Sequence, residues 1–406
     1  MVDGMPLSDV RVIDAGQVIA GPVCGAYLAD LGAEVVKLES PSGDILRGGD
    51  RTIDGEEVST SYELVNRNKR SVSIDLKSDE GREAVHSLVE KADVFLQNWP
   101  PGVAERLGVD YETLRELNDD LVYVHVTGYG ETGPMANRPA MDTAIQHISG
   151  LSSLMGFDDE KPPIRAQTSL GDYYAGTNAA VATLGALRHR DNGNGGQKVE
   201  ISMLEALMHN LDSAFELYNN VEDFEFQKGG RNSYKFPDRL YGAAETRDGW
   251  VCVAFYLNSS GVWEGFCELV GREDLLEDSH YDDASNRLED AGKFSEMLEE
   301  WMRERTSEEC LEKLQEKGIP VAPHNTVPET AEMDHVEERD VFQEVDHPRY
   351  GTFTLTRPPF RLSETDPEVR RPAPLLGEYT VEALKEAGYT DEEIQNLKEQ
   401  SIIHDR

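Results

Sequence analysis

The first two hundred residues predict an α/β fold with a mainly parallel sheet, and the middle of the chain predicts a smaller α+β region. Short apolar runs alternate with longer stretches of helical periodicity, the alternation repeats, and past residue 219 it gives way to a hairpin pattern. Val10–Asp14 reads as a strand, Pro22–Leu31 as a helix with proline near its start, and Ala33–Leu38 as the next strand. Ser78 can cap a helix running to Lys91, Ala92–Leu96 is a strand, Tyr111–Leu117 a helix and Leu121–Val126 a strand. From Leu170 to Arg190 the small residues Gly171, Ala175, Gly176, Ala179 and Ala180 suit a closely packed, largely buried helix. Helical periodicity resumes from Met203 to Tyr218.

Residues 219–238 lose periodicity, and their charge with Gly229-Gly230 predicts a linker. Leu240–Glu245 and Trp250–Tyr256, joined by Arg247-Asp248-Gly249, predict a hairpin, with helices near 261–270, 285–305 and 307–317. The prolines of Ile319–Pro323 forbid a helix and predict an extended crossing segment. A strand at Thr352–Thr356 and two helices come after it, the second opening with the capping box Thr390–Glu393.

With 406 residues, 38% of them hydrophobic, the chain can bury two or three cores. Asp and Glu number 78 against 39 Lys and Arg, a net charge of −39, so nucleic acid and anionic membrane are poor partners. The acid is spread in short runs such as Asp391-Glu392-Glu393, and the cations divide into 13 Lys and 26 Arg. Such a coat reads as adaptation to a high-salt cytoplasm, where a short Debye length relieves self-repulsion. Cys24, Cys252, Cys267 and Cys310 stand apart with no CxxC, which indicates neither a disulfide framework nor a zinc site and predicts a reducing compartment. No basic segment followed by an apolar stretch opens the sequence, and nowhere do about 18 apolar residues run together, so a cytoplasmic location is expected.

Gly128-Tyr129-Gly130-Glu131-Thr132-Gly133 matches GxGxxG after a strand, yet Pro134 and Asn137-Arg138-Pro139 come next, where a dinucleotide fold needs a helix. A glycine-rich loop at the carboxyl end of a sheet is the preferred reading, and a nicotinamide dehydrogenase the disfavoured one. HExxH, clustered His/Cys sets and GxSxG are all missing, so neither a metal site nor the commonest serine hydrolase is indicated. Asn66-Arg67-Asn68-Lys69-Arg70 places three cations in five residues of an acidic chain, near Asn98-Trp99-Pro100-Pro101-Gly102 and Arg106. It fits either a phosphate-bearing ligand or a local ion-pair network. Asp172, in the first turn of the small-residue helix, fits either a helix cap or an ionised nucleophile favoured by the macrodipole.

In order, these segments resemble the class III CoA-transferase family, which includes formyl-CoA transferase, carnitine CoA-transferase and the α-methylacyl-CoA racemases. The matching stretches are Ala20-Gly21-Pro22 with Leu28–Glu39, Asn66–Ser71, Asn98–Gly102, Gly128–Gly130 with Gly133-Pro134, Gly171-Asp172, Gly195–Val199 and Gly318–Pro323. The resemblance implies a large Rossmann-like CoA-binding domain from residues 1–218 and 319–406, a small α+β domain from 239–318, and two ring-shaped chains interlocked as a homodimer. It implies coenzyme A thioesters as substrates with no permanently bound cofactor. Asp172 matches the catalytic aspartate, and Val18, Lys69, Asn98, Trp99 and Arg106 match positions near CoA. Gly128, Gly130 and Gly171 are the loop positions from which oxyanion donors are expected. The glycine-rich lid that formyl-CoA transferase carries in its small domain has no full counterpart, Lys228–Arg231 being the nearest.

Racemases of the family place a histidine before an aspartate in a Gly-His-Asp stretch. Here that stretch is Ala140-Met141-Asp142, and methionine cannot carry a proton. The implied activity is therefore transfer of CoA from an acyl-CoA to a small carboxylic acid. A racemase and a non-catalytic CoA-binding protein are the alternatives. A halophilic archaeal member is expected to use succinyl-CoA with mesaconate or a related C4–C5 dicarboxylate. Arg47, Arg138, Arg165 and Arg231 are then the candidates for the distal carboxylate.

The charge balance makes the first prediction. The unfolding midpoint should rise strongly as KCl goes from dilute to molar, monitored by circular dichroism, and a flat profile would contradict the high-salt reading.

Overall fold

The computed structural model describes residues 4–49, 51–53, 55–157, 161–236 and 239–405, so positions 237 and 238 of the expected linker lie outside the described residues. Its main sheet is seven-stranded. Strands β1 (Arg11–Asp14), β2 (Glu34–Glu39), β3 (Arg70–Ile74), β4 (Val94–Gln97), β5 (Val122–Thr127) and β6 (Lys198–Ser202) run parallel. Strand β7 (Ile403–His404) is antiparallel to β3, and the order is β7-β3-β2-β1-β4-β5-β6. Register sets the two faces: Val12, Val35, Val94 and Val122 share one row, while Ile13, Val36, Phe95 and Tyr123 share the next and join the core under the C-terminal helices Thr380–Ala387 and Asp391–Glu399. The expected capping box is made: Thr390 accepts from the Glu393 N–H and Glu393 reaches back to Thr390.

Three helices pack beside one another: α1 (Ala20–Asp30), α2 (Asp142–Ile148) and α3 (Leu170–His189), with α3 touching both of the others. The small residues of α3 have a steric cause. A Cβ at Gly176 would lie 2.6 Å from the Ala20 carbonyl oxygen, so α1 and α3 approach with backbone nearly in contact. Only that side of α3 is buried; Val181 is 65% exposed, so the helix is less enclosed than its composition predicts.

The chain forms two compact units, one from Met1–Ser149, Ala166–Asp212 and His335–Arg406, the other from Gly150–Arg165 and Ser213–Asp334. The sequence-based expectation is 1–218 with 319–406, a linker at 219–238 and a small domain at 239–318. The expected helix Met203–Tyr218 is two, Met203–His209 and Ala214–Asn220, separated around Asp212, whose φ of 55° no helix continues through. The Ile319–Pro323 segment does not simply cross: Val321–Pro323 pairs with Trp250–Ala254, Val253 opposite Val321, and becomes the third strand beside the predicted hairpin. The second unit closes over Trp263, Phe266, Phe294, Trp301 and Met302. Its predicted helix at 285–305 is interrupted at Asp290, giving Ala284–Glu289 and Ala291–Arg303.

Charge is buried beside the carboxyl end of β1, where the residue preceding β3 reaches it. Lys69 and Asp14 are both fully enclosed and paired at 2.7 Å, and the Lys69 ammonium also donates to the Pro22 carbonyl and the Asn66 amide oxygen. A Cβ at Gly25 would lie 2.5 Å from Asp14 Oδ2, which is why glycine stands there. Burial pulls the Lys69 amine below its ordinary range, and Asp14 opposes that shift. The second prediction concerns this pair: Lys69→Met strands Asp14 without its cation and should cost about 3–5 kcal/mol in urea unfolding. The exposed control Lys77→Met should stay within about 0.5 kcal/mol. Equal losses would mean the pair does not hold the sheet together.

Candidate active site

Strand order reverses between β1 and β4, and open parallel sheets bind ligands outside the carboxyl ends of the strands at such a point. A cleft opens there, lined by Gln17, Val18, Asn98, Trp99, Gly128, Asn137, Arg138, Met141, Asp142, Asp172 and Met203 among others.

Its near lip is held by side chains at successive backbone groups. The Gly16 N–H donates to Asp14, and the Gly16 carbonyl accepts from Lys37, which is itself fully buried and paired with Asp44 at 3.0 Å. The Gln17 N–H donates to Asn98 Oδ1 at 2.7 Å, and its carbonyl accepts from Asn98 Nδ2 at 2.8 Å. The Val18 N–H donates to Asp44 at 3.2 Å. So held, Val18 sits at φ 62°, a left-handed conformation that a β-branched residue adopts only when its surroundings impose it. Across the switch point, His125 Nε2 bonds the Trp99 carbonyl at 2.9 Å and its Nδ1 faces Glu131, whose carboxyl is lowered to about 2 by His125 and then Lys198.

Asp172 lies half-buried in the first turn of α3, and among the described residues its carboxylate accepts no hydrogen bond. The cap reading therefore does not hold. Nor does the macrodipole decide its charge: burial, and then the nearby Asp142 carboxylate, raise it from 3.8 to about 7. A carboxylate without hydrogen bonds, open to a cleft and free to ionise near neutral pH, is equipped to act as a nucleophile.

The other predicted residues divide sharply. Val18, Asn98, Trp99, Gly128 and Arg138 line the cleft with Asp172. Lys69 does not; it is buried with three partners, so its expected contact with a phosphate is corrected to a structural one. Its neighbours resolve the basic cluster as an ion-pair network, Arg67 and Asn68 both bonding Asp30. Asn98 lines the cleft with its amide committed to Gln17. Arg106 is exposed on the helix Val103–Leu107, just beyond the Asn98–Pro101 lip. The Gly130 N–H donates to Thr127 and the Gly171 N–H to Asp142, so neither is available as an oxyanion donor.

Of the four arginines, Arg47 is locked onto Glu39 and stacked over Tyr62 beside a different cavity. Arg231 is paired with Glu299 within the second unit, which also contains Arg165. Arg138 lines the cleft, exposed and without an ion pair among the described residues. The segment read as nearest to a lid, Lys228–Arg231, is tied down inside the second unit: Gly229 N–H donates to Leu154 and Gly230 N–H to Gly156. Sequence reasoning missed Gln17, Asn137 and Met203 as lining residues and read Asp142 only as the neighbour of an absent histidine.

Residues 7–380 match the family described as CoA-transferase family III, and the chain belongs to that family. It is an enzyme of the CoA-transferase class. It is 35% identical to a succinyl-CoA:mesaconate CoA-transferase of Haloarcula hispanica over 94% of this chain and 96% of the relative. It is 33% identical to the succinyl-CoA–L-malate CoA-transferase beta subunit of Chloroflexus aurantiacus over 98% of each. Among solved structures, Rv3272 of Mycobacterium tuberculosis (29% identical, TM-score 0.81, 93% of this chain and 98% of that one) and a CAIB/BAIF family protein of Brucella suis (29% identical, TM-score 0.78, 94% and 99%) share the α/β fold.

The Asp172 environment makes the third prediction. Activity that depends on its ionised form should rise with pH through about 7. A carboxyl raised on folding stabilises while protonated, and that contribution is lost as pH climbs from about 4 through about 7. Asp172→Asn should therefore melt higher than the parent at about pH 8 and show no advantage near pH 4; the reverse order would mean that Asp172 is held ionised.

Proposed function

We propose that this CoA-transferase moves coenzyme A from succinyl-CoA to a small dicarboxylic acid, with mesaconate the best fit, through covalent intermediates on Asp172. The observation that carries the reading is Asp172 itself, a half-buried carboxylate with no hydrogen-bond partner among the described residues, in a cleft at the switch point. Its oxygen attacks the thioester carbonyl, the C–S bond breaks, and a mixed anhydride forms as CoA thiolate leaves. The thiolate then attacks the Asp172 carboxyl carbon, releasing the donor acid and leaving an enzyme–CoA thioester. The acceptor carboxylate attacks that carbon and expels thiolate, which takes the acceptor's acyl group as new acyl-CoA and restores the Asp172 carboxylate.

Each step conserves the thioester's free energy provided water is kept from the anhydride. Arg138, in the cleft and without an ion pair among the described residues, is the cation we assign to an anionic part of a substrate. Trp99, braced by His125 and packed on the core, suits the apolar body of CoA. The identity to relatives named for succinyl-CoA supports this donor, and the Haloarcula relative's name supports mesaconate. Met141 in place of the racemase histidine weighs against proton transfer as the reaction. An interlocked homodimer and a high-salt cytoplasm belong to the same reading.

The test is incubation in molar KCl with succinyl-CoA and a panel of free acids (mesaconate, citramalate, malate, itaconate, formate, oxalate, carnitine), with acyl-CoA products measured by mass spectrometry. Mesaconyl-CoA is the expected product. A different acyl-CoA would replace the acceptor, and no exchange with any acid would overturn the donor.

A further inference from the structure

We propose that Asp142 and Gln146, one turn apart on α2, form a clamp that positions the Asp172 carboxylate for attack. The proposal rests on Asp172 being the nucleophile. The two side chains hold three backbone groups in the six residues before it. Asp142 Oδ1 accepts the Gly171 N–H at 2.8 Å, and Gln146 Nε2 donates to the Thr168 carbonyl at 2.7 Å. Gln146 Oε1 accepts the Ala166 N–H at 2.9 Å. A fourth bond, Gln146 Nε2 to Asp142 Oδ2 at 2.7 Å, fixes the two against each other.

Both side chains are buried, Gln146 at 0% and Asp142 at 8% exposure, so water does not replace these bonds. The segment they grip needs gripping. It is irregular from residue 161 to 169 and re-enters the first unit at Ala166. Among the described residues the Ser169 side chain caps no backbone N–H. Gly171 lets the turn settle onto α2, because a Cβ there would lie 3.1 Å from Ile145 Cγ2 and 3.2 Å from Asp142 Oδ1. None of these four bonds reaches the Asp172 carboxylate, so both residues act through the segment they hold and are positioning residues.

The clamp has an electrostatic signature that a merely structural contact lacks. Among the described residues, the charged and titratable groups around Asp172 are Asp142 from α2, Arg138 from the preceding loop in the same cleft, and Tyr173 beside it on α3. Of these, Asp142 opposes ionisation of Asp172. Removing its charge should ease that ionisation, whereas removing the Gln146 amide should loosen the segment without changing the charge.

The experiment compares Asp142→Asn, Gln146→Ala and the shape-conserving Gln146→Glu with the parent and Asp172→Ala. Succinyl-CoA and mesaconate serve as probes, and carbodiimide labelling of Asp172 across pH, read by peptide mass spectrometry, is independent of turnover. Gln146→Ala should lower kcat about 10- to 100-fold with KM for succinyl-CoA within about 2-fold. Asp142→Asn should lower kcat too and move both the acid limb and the labelling midpoint of Asp172 to lower pH; Gln146→Ala should leave the midpoint in place. Parent-like kcat in both, with an unmoved midpoint, would overturn the clamp while leaving the nucleophile intact. Retained turnover in Asp172→Ala would instead overturn the nucleophile.

Discussion

The buried pair of Lys69 and Asp14 is the constraint to which the cleft answers. Two charges taken out of water persist only if each remaining lone pair and proton finds a partner. The surroundings are shaped accordingly: Pro22 and Asn66 complete the ammonium, and glycine at 25 gives the carboxylate room. The Gly16 N–H takes the other carboxylate oxygen. Because that bond starts the lip of the cleft, the ion pair, Lys37 with Asp44, and Asn98 together fix its backbone from Gly16 to Val18. Strain at Val18 is thus underwritten by interactions beneath the cleft, out of contact with ligand.

Two aspartates of the same unit receive opposite treatment. Asp14 is given a cation and donors, while Asp172 is given burial, a carboxylate nearby and, among the described residues, no donor. The first arrangement serves structure and the second serves chemistry, since a fully bonded carboxylate would be a poor nucleophile. The helix terminus at Asp172 does not override this, because the macrodipole acts weakly beside burial and a like charge.

Legibility in the sequence followed locality. Strands β1, β2, β4 and β5 and the Tyr111–Leu117 helix were readable because each carries its own periodicity and turn chemistry, whereas β3, opening in the cationic Asn66–Arg70 run, was not read as a strand. The break at Asp212 was not, since one left-handed residue leaves no pattern, and the pairing of Val321 with Val253 was not, since register across distant segments is set by packing. In the site, Val18 came only from the family resemblance and Arg138 was one of four arginines the sequence left undivided, while Asp172, Asn98 and Trp99 stood in recognisable motifs. Lys69 stood in one as well, but burial reversed its meaning, which sequence alone does not carry. Asp142 and Gln146 could have been noticed as polar residues at i and i+4, a spacing shared with countless exposed pairs.

The edge strand β7 has a consequence for how the protein comes into being. Ile403 pairs with Ile74, and the helices Thr380–Ala387 and Asp391–Glu399 cover the same side of the sheet. During synthesis the amide edge of β3 and its apolar face therefore wait uncovered while most of the chain is still being made. Ribosome-bound intermediates will present the open edge of β3 along Val72 and Ile74, the kind of surface that recruits chaperones or seeds aggregation. Loss of the last few dozen residues would accordingly be felt as failed biogenesis, well before any question of catalysis arises.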